Sequence, residues 1–133
     1  MELEHKLNAG ELTTLAGGSV RVVRPCDCGI DACREWTRVP AGFPQAQMRT
    51  VGTLAGDPYA EPTFAEYHPN GTHYWSPDAP IALQYFPYNR CTVQQCGVCD
   101  RACLAYVEAG GYYVEPRIRA LDPCLITDVP APD

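Results

Sequence analysis

The stretch "NRCTVQQCGVCDRAC", residues 89–103, holds four of the eight cysteines in this chain of 133 residues. Two of them, Cys96 and Cys99, form the CxxC pair "CGVC". Two thiolates at this spacing can bind one tetrahedral ion at about 2.3 Å each. Gly97 between them lets the backbone curl around the ion. The pattern predicts a zinc knuckle, which supplies two of the four ligands that a closed structural zinc site needs.

The second pair of ligands is expected from "CDCGIDAC", residues 26–33. Gly29 after Cys28 suits a tight turn, and Cys28 with Cys33 makes a CxxxxC pair. Cys26 with Cys28 is the tighter alternative, and Cys91 competes for a ligand position from the end of a strand. The predicted ion is Zn²⁺, and its candidate ligands are Cys26, Cys28, Cys33, Cys91, Cys96 and Cys99.

Arginines stand beside both cysteine groups. Arg24 and Arg34 bracket the first, and Arg90 and Arg101 bracket the knuckle. A nearby cation favours thiolate over thiol, so this placement supports ionised sulfur. Since arginine supplies nine of the ten basic residues, part of the pattern follows from composition alone.

Other cysteine chemistry also fits the spacing. Cys91, Cys96 and Cys99 match the C-x4-C-x2-C pattern of plant-type [2Fe–2S] ferredoxins, with Cys124 as a fourth ligand. The loop "TVQQ" is too bulky to wrap such a cluster well. Taken singly, Cys103 and Cys124 are better explained as reduced cysteines buried as small apolar residues. A thioredoxin-like dithiol needs a preceding βαβ frame, which the pattern lacks.

The remaining pattern indicates an α+β fold dominated by antiparallel β-hairpins, with a zinc-ribbon-like metal site. Residues 1–18 are expected to form a helix or arm, and "SVRVVR" at 19–24 alternates as a strand does. "TFAEYHPNGTHYW" is typical of a hairpin around Asn-Gly, and "IALQYFPY" of a buried strand. "LAYVEAGGYYVEPRIRAL" indicates a second hairpin turning at Gly110-Gly111, although "RACLAYVEA" also suits a short helix.

Length and charge limit the function. The length predicts one domain over residues 1–133, with a mobile tail at 128–133. A net charge of -6 with scattered arginines argues against nucleic acid as a partner. The N-terminal residues carry charges and show no export signal, and no apolar run approaches a membrane span. These features predict a cytoplasmic protein with reduced cysteines.

No catalytic signature is visible, so the chain is expected not to be an enzyme. The three histidines, His5, His68 and His73, are best explained as exposed turn and strand residues, with His73 as a minor candidate ligand. Phosphate-loop, dinucleotide and Gly-x-Ser-x-Gly patterns are lacking. The aromatic residues of the second half are expected mainly to form the core, and otherwise a contact surface.

The segment from Glu66 to Ile126 resembles a family of small, uncharacterised bacterial proteins with a zinc-ribbon-like CxxC knuckle. The shared features are Tyr-His-Pro-x-Gly-Thr, Pro-Tyr-Asn-Arg-Cys, the knuckle, Gly-Gly-Tyr-Tyr and Arg-Ile-Arg-x-Leu-Asp. The resemblance implies no activity. It implies that Cys91 belongs with Cys96 and Cys99.

These observations predict a non-enzymatic, zinc-stabilised domain that binds another protein. A basic partner suits the acidic chain. The first alternative is an immunity or antitoxin protein that inhibits a toxin, because small acidic bacterial chains often act in this way. The second is a [2Fe–2S] ferredoxin-like electron carrier.

Overall fold

The computed structural model describes residues 5–56, 63–109, 112 and 114–132. Within them lie one α-helix, seven β-strands and three short 3-10 helices, which confirms the α+β class. The helix is α1 (Ala9–Val20), and the strands are β1 (Thr37–Arg38), β2 (Met48–Thr53), β3 (Ile81–Ala82), β4 (Thr92–Cys96), β5 (Ala102–Ala109), β6 (Val114–Ala120) and β7 (Ile126–Thr127). The 3-10 helices are Ile30–Ala32, Gln45–Gln47 and Tyr88–Arg90.

Helix α1 begins at a capping box. The Asn8 side chain accepts a hydrogen bond from the Glu11 amide at 2.8 Å, and the Glu11 carboxylate accepts one from the Asn8 amide at 3.1 Å. The helix buries Leu12 and Ala16 and continues to Val20. It therefore includes the start of "SVRVVR", and the strand predicted over 19–24 is wrong. Of the predicted helix 1–18, residues 1–4 lie outside the described residues.

The last turn of α1 is held by the sheet. The Ser19 hydroxyl accepts a hydrogen bond from the Ala102 amide at 2.8 Å, at the start of β5. Ser19 makes this buried contact from within the helix, and such tertiary contacts override the strand preference of the valines that follow.

Five strands form the main sheet in the order β1-β6-β5-β4-β2, and every neighbouring pair is antiparallel. Strands β5 and β6 pair over seven residue pairs, from Cys103–Ala120 to Ala109–Val114, which confirms the second predicted hairpin in its strand form. Its turn at 110–111 lies outside the described residues. A second, two-stranded sheet pairs β3 with β7 in parallel.

The hairpin predicted around "HPNG" is wrong, since that segment, residues 63–75, forms turns and no strand. Their aromatic side chains are used individually. Tyr74, for example, stacks on Trp36 with ring centroids 6.1 Å apart. The predicted strand "IALQYFPY" is strand only at Ile81–Ala82, because the chain then turns into the 3-10 helix Tyr88–Arg90.

The two faces of the main sheet differ, and we call them the core face and the cysteine face. Alternation along β4 and β5 places Val93, Leu104 and Tyr106 on the core face, where they join the main buried cluster with Trp36. The other buried cluster packs at one end of the cysteine face and contains Cys28, Ile30, Cys96, Cys99 and Cys103.

The connection between β1 and β2 crosses the sheet, because these strands form its opposite edges. It runs over residues 39–47, and Phe43 within it packs against the cysteine cluster, so it crosses the cysteine face. Beside it a groove of about 390 Å³ opens over the same face. Its floor includes Thr92, Gln94 and Ala105.

A fully buried arginine ties the chain together on the core face. The Arg119 guanidinium donates to the carbonyl oxygens of Arg34 at 3.2 Å, Pro77 at 3.1 Å and Ala79 at 2.9 Å, and to the Tyr88 hydroxyl. Its partners among the described residues are thus neutral oxygen atoms rather than a carboxylate. In the described part of the chain, no helix is both long enough and apolar enough to cross a membrane.

Candidate metal centre

Four cysteine sulfurs meet at the end of the cysteine face. The Sγ atoms of Cys26, Cys28, Cys96 and Cys99 all lie within 4.8 Å of one another. The Cys26 and Cys96 sulfurs are 3.8 Å apart, and those of Cys28 and Cys99 are 3.6 Å apart. Four sulfurs at about 2.3 Å from a tetrahedral ion are separated by about 3.8 Å. This largely buried group could therefore hold a metal ion.

The knuckle half of the site is the tip of the β4–β5 hairpin. The Cys96 amide donates to the Arg101 carbonyl at 2.8 Å, and the Asp100 amide donates to the Cys96 carbonyl at 2.9 Å. Asp100 adopts a positive φ of 71°, which turns the chain back toward β5. The Gly97 amide donates to the Gln47 carbonyl at 2.7 Å, and a Cβ at position 97 would lie only 3.2 Å from that oxygen.

The other half comes from the loop after α1. Cys26 and Cys28 lie two residues apart in this loop, before the 3-10 helix Ile30–Ala32. Gly29 has a φ of 70°, a left-handed conformation that glycine adopts at no steric cost. It turns the chain so that Ile30 is buried against the sulfurs.

Backbone amides face three of the four sulfurs. Each of these sulfurs is hydrogen-bonded by the backbone of the residue two positions later. The pairs are Cys26 with Cys28, Cys28 with Ile30, and Cys99 with Arg101. Hydrogen bonds to sulfur favour the thiolate, which is the form that binds metal. The donor set and its surroundings thus fit a metal ion.

The thiols of Cys28 and Cys99, whose sulfurs are in contact, have pKa values displaced in opposite directions. Burial raises the pKa of Cys28 to about 12, and the neighbouring Cys99 sulfur adds to this effect. Burial alone would also raise the pKa of Cys99, but hydrogen bonds from the Arg101 backbone and the neighbouring thiols outweigh it and lower the pKa to about 7. Cys99 is therefore the more acidic thiol of this contacting pair.

Two of the four arginines named from the sequence lie at this site. Arg24 donates to the Cys99 carbonyl at 3.0 Å and to the Asp100 carboxylate at 2.9 Å, so it joins the two halves. Arg101 is buried, and its side chain is hydrogen-bonded to the Cys99 sulfur. Arg90 instead stacks on the Phe64 ring, with its guanidinium carbon 4.1 Å from the ring centroid.

The structure does not bring Cys91 to the sulfur group. Cys91 is fully buried in the main cluster, and its thiol faces the Pro87 carbonyl oxygen at 3.3 Å. The physical reason is strand alternation. Cys91 and Cys96 are five residues apart along one extended segment, and an odd separation places their side chains on opposite faces.

Cys33 also lies apart from the sulfur group. It follows the 3-10 helix, and its thiol faces the Gly29 carbonyl oxygen at 3.5 Å. The structure thus pairs Cys28 with Cys26, the alternative spacing, rather than with Cys33. Of the two cysteines expected to be buried singly, Cys103 is buried, whereas Cys124 is exposed, which makes that prediction wrong for Cys124.

Gln47 also lies at the site, although the sequence does not predict it there. Its side-chain oxygen lies 3.5 Å from the Cys96 sulfur and 3.9 Å from the Cys26 sulfur. Nothing in the cysteine spacing points to a residue on the crossing connection between β1 and β2. Gln47 comes close to the sulfurs because the next residue, Met48, pairs with Cys96 in the sheet.

None of the described histidines joins the sulfur group. His5 is hydrogen-bonded to Glu11 at the start of α1. His68 lies between Glu66 and Thr72, with ring nitrogens 2.8 Å from the carboxylate and 2.7 Å from the hydroxyl. These two contacts stabilise the turn between Glu66 and Thr72.

Comparison with known proteins gives no relative: no family model matches the chain, and no curated protein or solved structure matches it significantly.

Proposed function

We propose that this chain is a non-enzymatic domain that binds one structural Zn²⁺ and acts by binding another protein. The ligands would be Cys26, Cys28, Cys96 and Cys99. The observation that carries the proposal is the convergence of these four sulfurs within 4.8 Å, at distances that suit a tetrahedral ion.

The chemistry of the donors favours zinc. A tetrahedral set of four thiolates is typical of zinc or iron–sulfur sites. The [2Fe–2S] alternative relied on Cys91, which lies on the opposite face of the sheet and in the main cluster. Sulfur separations of 3.6 and 3.8 Å match the size of a single-ion site.

A structural role follows from the ligand count. Four sulfurs fill the four positions of tetrahedral zinc and leave none for water or substrate. The ion would join the loop after α1 to the β4–β5 hairpin, where Ile30 is the largest fully buried apolar side chain. This zinc-ribbon-like site would therefore stabilise the fold without taking part in catalysis.

The far end of the cysteine face supports the protein-binding part of the proposal. Val107 and Val114 are more than half exposed there, and the register places them on one face with Pro116. The groove of about 390 Å³ lies beside them. Apolar side chains clustered on an exposed face are typical of protein contact sites, and the net charge of -6 suits a basic partner.

Native mass spectrometry with elemental analysis tests the metal. We expect one zinc per chain in protein purified without added metal, and no bound zinc in Cys28→Ser. Cys124→Ser is the matched control, because Cys124 is exposed and should leave the stoichiometry unchanged. A folded wild-type protein without zinc, or one with bound iron and visible absorption, would refute the proposal.

Site-specific photocrosslinking in cells that express the chain tests the contact surface. A crosslinking amino acid at Val107 should give a discrete adduct with one protein, whereas the same amino acid at Thr14, exposed on α1, should not. Equal patterns from the two positions would show that the apolar end of the cysteine face is not a binding surface.

A further inference from the structure

Gln47 is held against the metal centre at two points. Its backbone carbonyl accepts the hydrogen bond from the Gly97 amide at 2.7 Å, inside the knuckle. Its side-chain oxygen faces the sulfurs of Cys96 and Cys26. The residue ends the 3-10 helix Gln45–Gln47 and directly precedes Met48, which pairs with Cys96 in the sheet. The side chain is therefore anchored at its base and reaches the sulfurs from a fixed point.

We propose that Gln47 is a positioning residue of the metal centre, whose side-chain amide donates N–H hydrogen bonds to the Cys26 and Cys96 thiolates when the ion is bound. This inference rests on the proposed zinc site and adds to it a residue that controls how tightly the ion is held.

The donor and acceptor roles must reverse when metal binds. Without the ion, Cys26 and Cys96 are thiols that can donate to the Gln47 oxygen. Bound to the ion, both sulfurs have lost their protons and can only accept, so an oxygen facing them is repelled. Rotation of the terminal amide replaces the oxygen by the NH₂ group, which has nearly the same shape.

The number of donors matches the number of sulfurs. A glutamine amide offers two N–H groups, and the Cys26 and Cys96 sulfurs form one edge of the tetrahedron. Backbone hydrogen bonds already reach Cys28 from Ile30, Cys99 from Arg101 and Cys26 from Cys28. Gln47 would supply a donor to the fourth sulfur, Cys96, and a second donor to Cys26, and so help to balance the negative charge of the four thiolates.

Substitutions at position 47 test the role, with Gln45 as the matched control. Gln45 belongs to the same 3-10 helix but is exposed and borders the groove rather than the sulfurs. Outer-sphere partners of metal ligands typically change affinity by about 10–100-fold. We expect zinc affinity, measured by chelator competition, to fall about 10-fold in Gln47→Leu and about 100-fold in Gln47→Glu, and to stay unchanged in Gln45→Glu.

A spectroscopic measurement separates this role from simple loss of packing. In Co²⁺-loaded protein, the sulfur-to-cobalt absorption band should move to lower energy in Gln47→Leu, because hydrogen bonds that stabilise the sulfur lone pairs are lost. The band should not move in Gln45→Glu. Far-UV circular dichroism of the loaded variants checks that each is folded.

The outcomes distinguish this inference from the proposal beneath it. If wild type binds one zinc and Gln47→Leu matches it in both affinity and band position, Gln47 has no positioning role and the zinc site stands. If wild type binds no metal, both ideas fall. Weaker binding together with a shifted band supports Gln47, whereas weaker binding with an unshifted band assigns it a packing role and overturns the inference.

Discussion

The two buried clusters of this protein use cysteine in opposite ways. In the main cluster, Cys91 is one small side chain among leucines and aromatic rings, with a single carbonyl neighbour at 3.3 Å. In the cysteine cluster, four sulfurs contact one another, and the bulkiest fully buried apolar partner is Ile30. The first cluster gains its stability from buried apolar area. The second has fewer fully buried apolar side chains, and under the proposed function it would gain most of its stability from an ion.

The environment of a cysteine in this fold decides its role more than its spacing in the sequence does. Cys91 lies five residues before Cys96, at the spacing that the C-x4-C-x2-C pattern assigns to a ligand. It is nevertheless separated from it by the thickness of the sheet, because strand alternation directs it to the core face.

The largest effect is expected from breaking the cysteine cluster. Cys28→Ser should abolish binding of the ion and lower the free energy of unfolding by at least about 4 kcal/mol when free zinc is at a thousand times its dissociation constant. Denaturant titration with and without a chelator measures this. If the chelator leaves the free energy of unfolding of the wild type unchanged, the cysteine cluster is stable without a bound ion.

Breaking the main cluster should cost stability without loss of metal. Arg119→Met removes the donors to three carbonyl oxygens and the Tyr88 hydroxyl, and each buried acceptor left unpaired costs about 1–3 kcal/mol. Because water would partly hydrate the freed carbonyls, we expect the free energy of unfolding, measured by denaturant titration, to fall by about 3 kcal/mol. Zinc stoichiometry should stay at one, and its loss would show that the two clusters are coupled.

Alkaline pH should expose the buried thiol of the main cluster. Burial raises the pKa of Cys91 well above its ordinary value. An unfolded thiol ionises near pH 8.5, so the stability that depends on a neutral Cys91 is complete below this pH and is lost as pH rises toward the folded pKa. Between pH 8 and 10, wild type should lose about 2 kcal/mol more than Cys91→Ala. The tyrosines titrate in both proteins and cancel. Equal losses would place Cys91 in contact with water.

The smallest effect is expected from Cys91→Ala at neutral pH. Deletion of one buried heavy atom should cost about 1 kcal/mol, by denaturant titration. Zinc content should equal that of wild type. A variant that lost its metal would return Cys91 to the ligand set and remove the contrast between the clusters.

The sequence allowed the α+β class, the β5–β6 hairpin and three of the sulfurs, Cys28, Cys96 and Cys99, to be predicted together with Cys26 as the alternative fourth. Local signals carry these features, since alternation and CxxC spacing act over a few residues. The knuckle in particular depends on Gly97 and on two cysteines separated by two residues.

The remaining features depend on distant contacts. Helix α1 extends through Ser19 because Ala102 donates to its hydroxyl across the chain. The Asn-Gly turn lacks flanking strands because the surrounding aromatic side chains find partners elsewhere, as Tyr74 does on Trp36. Gln47 reaches the sulfurs only through the crossing of the sheet by residues 39–47. Local patterns carry no information about such partners.

The sulfur pairs Cys26–Cys96 and Cys28–Cys99 are separated by 70 and 71 residues along the chain. An ion held between them would close a long loop, which restricts the unfolded ensemble and slows complete assembly. The β4–β5 hairpin is local and can form early, so the knuckle would offer two thiolates before the N-terminal loop arrives. Metal binding would then proceed in two stages. The knuckle would first hold the ion weakly with two thiolates, and the ion would be bound tightly once Cys26 and Cys28 complete the site.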